Sequence, residues 1–199
     1  MRNGPPRILS SSRHVHGKGS SQEVTVLGQR SRLREEAPMT VAPGQPAPTF
    51  TLPRDGGGTV SLADLRGRHV VLFFYPKDDT AACTLEAQEF TGLQPRFEAA
   101  GAAVLGVSTG TVAAKGRFVR KAGLGIPLLA DEKGETLRDY GVWQEKTMFG
   151  RAYMGIVRTT VLIDPVGDVA QVWTVRKAEG HAQEVLGHFE RIAGSAHAG

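Results

Sequence analysis

The chain has 199 residues, 40% of them hydrophobic, and a single cysteine, so it has material for one sizeable core but none for an internal disulfide or a cysteine-rich zinc site. Its formal net charge of +4 resembles a nucleic-acid footprint until it is placed: residues 1–38 hold seven Lys/Arg against three Asp/Glu, and the rest of the chain holds seventeen of each sign. The remainder has no basic field for phosphates or anionic lipid, and no apolar run reaches the roughly eighteen residues of a membrane helix, so neither nucleic acid nor membrane is an expected partner.

Residues 1–38 are rich in Ser, Arg and Gly, and only Val24–Leu27 resembles a strand. They read as a disordered basic tail or as the product of a start codon assigned upstream of Met39, with a faint Arg-rich targeting character. Residues 39–199 read as the folded domain, in a reducing, cytoplasmic setting. Phe50–Leu52 and Thr59–Leu62 flank Gly56–Gly58 as a small hairpin. His69–Tyr75 is a continuous apolar run, the pattern of a strand buried on both faces. From Thr80 to about Ala100, Phe90, Leu93 and Phe97 recur at helical spacing. A second buried strand over Ala103–Val107, a helix over Val112–Ala122, an extended piece at Ile126–Leu129 and a short helix from Gly134 to Tyr140 follow. Thr159–Ile163 and Val169–Trp173 bracket the turn Asp164-Pro165-Val166-Gly167 as a hairpin, and His181–Ile192 closes the domain as an amphipathic helix. Strand–helix crossovers give a parallel core and the last hairpin adds antiparallel strands. The expected fold is therefore α/β, with a central mixed sheet flanked by helices in thioredoxin-like order.

Cys83 lies in Phe74-Tyr75-Pro76-Lys77-Asp78-Asp79-Thr80-Ala81-Ala82-Cys83. Pro76 ends the strand and Thr80 sits where an N-cap belongs, which places Cys83 about one turn into a helix. A lone cysteine is by default a small core residue. At this crossing, however, the free amides and positive end of the helix favour the thiolate, which is the nucleophilic form. The carboxyl end of a strand in an open α/β sheet is also where such folds place their sites.

Pro76, Thr80 and Cys83 reproduce the Pro-x-x-x-Thr-x-x-Cys signature of the peroxiredoxins, and Phe-Tyr-Pro-Lys-Asp-Asp-Thr resembles the bacterioferritin comigratory protein (peroxiredoxin Q) branch. Val41–Pro53, Tyr153–Asp164 and Gly180–Leu186 extend the resemblance over most of residues 41–194. It implies a thiol-dependent peroxidase acting on hydrogen peroxide and organic hydroperoxides, without a cofactor or metal. Cys83 would become a sulfenic acid. Thr80 would hydrogen-bond the peroxide, Pro76 would shield the sulfur from water, and Arg158 would set its guanidinium beside sulfur and oxygen. Glu86, one turn after Cys83, would orient that Arg.

Two positions depart from the family pattern. Ala81-Ala82 replaces the usual Pro-Gly, and Gln88 stands where many members of the branch carry a resolving cysteine. A one-cysteine mechanism follows as the expectation, with a thioredoxin-like protein or a low-molecular-weight thiol as reductant, in a monomer or weak dimer. The alternative is a thioredoxin-fold redox sensor or chaperone-like binding protein. His14 and His16 read as solvated tail residues and His181 and His188 as surface residues. Asp78 and Asp79 read as acids favouring the positive helix end, and Phe74, Tyr75, Phe90, Trp143 and Trp173 as packing or pocket-wall residues.

Overall fold

A computed structural model describes residues 41–196. The expectations on the basic tail, its strand-like Val24–Leu27, the alternative start at Met39, and His14 and His16 lie outside the described residues. First in the described chain, β1 (Thr51–Pro53) pairs antiparallel with β2 (Thr59–Ser61), and the intervening Gly56, Gly57 and Gly58 all take positive φ. A 3-10 turn at Leu62–Leu65, absent from the sequence reading, leads into β3 (His69–Phe74). Then come α1 (Ala81–Ala99), β4 (Ala102–Ser108), α2 (Val112–Ala122), β5 (Leu128–Ala130) and α3 (Glu135–Asp139). The hairpin of β6 (Trp143–Met148) and β7 (Arg151–Ile156) precedes β8 (Thr159–Ile163), β9 (Val169–Thr174) and α4 (His181–Ala196).

The main sheet runs β5-β4-β3-β8-β9. β3, β4 and β5 are parallel, while β8 is antiparallel to both β3 and β9, so the sheet is mixed as expected. β3 is central because its residues can be buried on both sides: Val71, Phe73 and Tyr75 join the core built with Phe90, Phe97, Phe118 and Phe189 of α1, α2 and α4. Val70, Leu72 and Phe74 join the opposite core with Phe50, Leu137 and Tyr140. Each ring so buried contributes about 1.5–3 kcal/mol. Phe90 stacks on Phe73 with centroids 4.7 Å apart, which seats α1 on the sheet. Gly106 in β4 has to be glycine for that core to close, since a Cβ would lie 2.6 Å from Phe73 and 2.7 Å from Leu128.

Two expectations are corrected. His181 is not a surface residue: it is buried, and its Nε2 lies 2.8 Å from Thr160 Oγ1, against Phe90 and Trp173. Burial lowers its pKa, and Glu184 pulls the other way. The segment 143–156, left without secondary structure in the sequence reading, is a hairpin whose loop Phe149-Gly150 has positive φ at both residues, the geometry of a type I′ turn.

Candidate active site

The β3–β8 register pairs Phe74 with Thr159, so the residue preceding β8, Arg158, arrives at the end of β3 where the chain crosses to α1. Thr80 is the N-cap of α1, with extended φ and ψ, and its carbonyl accepts the first helical bond from Thr84 N–H at 2.8 Å. Its hydroxyl does not cap the helix as expected; it donates to the Lys77 carbonyl at 3.2 Å. The leading amides of α1 thus carry no side-chain cap. Cys83 is the third residue of the helix and 1% exposed.

Three of the sequence-selected residues meet. Arg158 Nη2 donates to Cys83 Sγ at 3.2 Å, while Nη1 of the same guanidinium donates to Glu86 Oε2. Glu86 is wholly buried, and among the described residues its Oε1 finds no hydrogen-bond partner. Burial pushes the Glu86 carboxyl up to about 7, with Arg158 drawing it partly back. Burial opposes the charge on Arg158 as well, but Glu86 and Cys83 hold its pKa above the ordinary value. Pro76 and Thr80 are partly buried in the crossing segment, without a direct bond to the sulfur. Gln88, at the position of a resolving cysteine in many relatives of the branch, is exposed and donates to the Ala122 carbonyl at 3.0 Å.

The acids of the crossing segment do something other than favour the helix end. Asp78 accepts two bonds from the buried ammonium of Lys115 and one from Tyr75 Oη, and Asp79, at φ 59, pairs with Lys121. The sequence reading passed over Lys115. The available signal was a lysine three residues before Phe118, on the apolar face of a helix whose other members there pack inward.

Residues 43–172 match the family model described as AhpC/TSA. Two relatives named Peroxiredoxin Bcp align well: that of Xanthomonas campestris is 42% identical over 143 residues, covering 71% of this chain and 89% of its own. That of Bacillus subtilis is 40% identical over 148 residues, covering 74% of this chain and 94% of its own. The chain belongs to the AhpC/TSA family. Among solved structures, the X. campestris bacterioferritin comigratory protein, described for its alkyl peroxide reduction activity, superposes with a TM-score of 0.69 at 38% identity, over 72% of this chain and 92% of its own. Peroxidoxin BcpB of Mycobacterium tuberculosis gives 0.68 at 31% identity, over 76% and 98%. This AhpC/TSA member is thus a thiol-dependent peroxidase on a thioredoxin-like α/β fold, with a peroxide as substrate and a thiol as reductant.

Proposed function

We propose that the chain reduces hydrogen peroxide and organic hydroperoxides by a one-cysteine mechanism at Cys83. The observation that carries this reading is the 3.2 Å contact from Arg158 Nη2 to the sulfur of the chain's single cysteine. The Cys83 thiolate attacks the terminal oxygen of R–O–O–H. The S–O bond forms as the O–O bond breaks, the electron pair leaves on RO⁻, and a proton converts it to ROH. Cys83 is left as a sulfenic acid. Arg158 stabilises the thiolate and the charge growing on the departing oxygen. The Thr80 hydroxyl, donating to Lys77, keeps its lone pairs free to accept from the peroxide O–H. Pro76 excludes water from the sulfur, and Glu86 holds the guanidinium in place.

With no second cysteine in these 199 residues, reduction comes from outside. A thioredoxin-like protein or a small thiol R′SH attacks the sulfenic sulfur, expelling water and leaving a Cys83–S–S–R′ bond. A second thiol then releases Cys83 as the free thiol and departs as the other half of R′–S–S–R′. A cytoplasmic, monomeric or weakly dimeric protein fits this chemistry, with residues 1–38 outside the peroxidase domain. Among the described residues, no helix is long and apolar enough to cross a membrane. Mass spectrometry after one equivalent of hydrogen peroxide is expected to find a sulfenic acid on Cys83 that added thiol converts to a mixed disulfide. A thiol left unmodified by peroxide sinks the proposal. A screen of thioredoxin, glutaredoxin and small thiols then identifies the donor.

Glu86 gives a pH test. Its carboxyl moves from an ordinary 4.5 to about 7 in the fold, so between those values the folded state binds more protons than the unfolded one. The stability Glu86 contributes is fully present below about 4.5 and is lost as pH rises through about 7, on the order of 3 kcal/mol. Glu86→Gln keeps the acceptor for Arg158 and removes this dependence. Thermal melts should therefore show wild type losing stability relative to Glu86→Gln between pH 5 and pH 8, roughly the window bounded by those two values. Parallel melting curves against pH for the two proteins would count against a buried, proton-binding Glu86.

A further inference from the structure

Among the described residues, Lys115 is the only lysine or arginine that is buried. Its ammonium makes three contacts, to Asp78 Oδ1 at 2.8 Å, Asp78 Oδ2 at 3.0 Å and the Thr109 carbonyl at 2.5 Å. It also lies 5.2 Å from the centre of the Tyr75 ring, and the Tyr75 hydroxyl donates to Asp78 at 2.8 Å. Burying an ammonium costs several kcal/mol, and an apolar residue of the same volume often serves stability as well or better, so packing alone does not account for this cluster.

What the cluster grips is the crossing segment. Asp78 lies two residues after Pro76 and two before Thr80, so a clamp on Asp78 fixes the loop that carries both. Burial pushes the Lys115 pKa down, and Asp78 chiefly, with a smaller contribution from Cys83, draws it back up. The charged and titratable groups around Cys83 are then Arg158 ahead of β8, Glu86 on α1, Tyr75 at the end of β3, and Lys115 of α2 with Asp78 of the loop. Asp55, after β1, acts in turn on Tyr75.

We propose that Lys115 is a positioning residue of the peroxidase site: by clamping Asp78 it sets the Pro76–Thr80 loop beside Cys83, and it neutralises the Asp78 carboxylate, whose lone negative charge would otherwise oppose the thiolate. This rests on Cys83 being the sulfur that reacts with peroxide.

Two readouts test it. The first is the pH midpoint of the ultraviolet absorbance of the Cys83 thiolate, with Cys83→Ser as the baseline, which needs no peroxidase activity. The second is kcat/KM for hydrogen peroxide. Lys115→Met keeps the stem, removes the charge and leaves the Asp78 carboxylate uncompensated. Its midpoint is expected to rise by about half a unit to one unit, and its kcat/KM to fall about tenfold as the loop loses its anchor. In Asp78→Asn/Lys115→Met neither charge remains. There the midpoint returns most of the way to wild type, while kcat/KM stays about tenfold low. A merely structural lysine would lower stability without moving the midpoint. An unchanged midpoint in folded Lys115→Met, or a double variant with wild-type kcat/KM, overturns the inference. Should Lys115→Met not fold, the double variant, which buries no lone charge, decides alone. Failure of the Cys83 reading looks different: Cys83→Ser then consumes peroxide like wild type, while the thiolate titration still reports on Lys115.

Discussion

Cys83→Ser is expected to abolish peroxide consumption, lowering the initial rate with excess thiol by at least about a thousandfold. Serine reproduces the size of the cysteine and can still accept a hydrogen bond from Arg158 Nη2, so the site should keep its shape. What it removes is the easily ionised, polarisable sulfur; a hydroxyl is hardly ionised at neutral pH, and among the described residues the group hydrogen-bonded to this side chain is the Arg158 guanidinium, a donor that cannot take its proton. Because Cys83 is the single cysteine in these 199 residues, no second thiol can take over. A thermal melt should show the variant folded. Peroxide turnover equal to wild type in that folded variant would falsify the one-cysteine mechanism outright.

How much of this site could be read from the residue order depends on what holds each part. β3 was legible because a strand covered on both faces carries no alternation, and Val70–Tyr75 is apolar throughout. The bounds of α2 match the sequence reading because its ends are marked locally: the Thr111 hydroxyl accepts from Ala114 N–H, and Gly123 takes the left-handed conformation after the last turn. The bond from Arg158 to Cys83 spans 75 residues, and neither composition nor periodicity points to it; the family pattern alone suggested it. The β6–β7 hairpin escaped because its turn is Phe149-Gly150 rather than Asn-Gly or Asp-Gly, and most of its side chains are exposed, so it lacks an apolar alternation. His181 was misjudged by its spacing from His188. The Thr160 hydroxyl that makes its burial tolerable sits on a different element, 21 residues away. Lys115 was passed over for the same reason, since its partner Asp78 lies across a crossover connection.

Arg158→Met should lower kcat/KM for hydrogen peroxide by about a hundredfold to a thousandfold, the usual cost of losing one preorganised donor to a developing negative charge. The loss should fall mainly on the step that forms sulfenic acid, measurable as the single-turnover rate with peroxide and no reductant. Stability should change little in comparison. Glu86 loses its charged partner, but with a pKa already about 7 it becomes neutral by taking up a proton instead of remaining as a buried carboxylate. Arg158→Lys is the sharper variant. One guanidinium serves two acceptors through two separate nitrogens, Nη1 toward Glu86 and Nη2 toward Cys83. A lysine offers a single nitrogen on a flexible stem, so it can preserve the local positive charge without bridging both groups in that fixed geometry. If a nearby positive charge were all the sulfur needed, Arg158→Lys would retain most of the activity. The two-nitrogen geometry predicts instead that it stays within about tenfold of Arg158→Met. A wild-type rate in Arg158→Lys would show that the forked contact is dispensable.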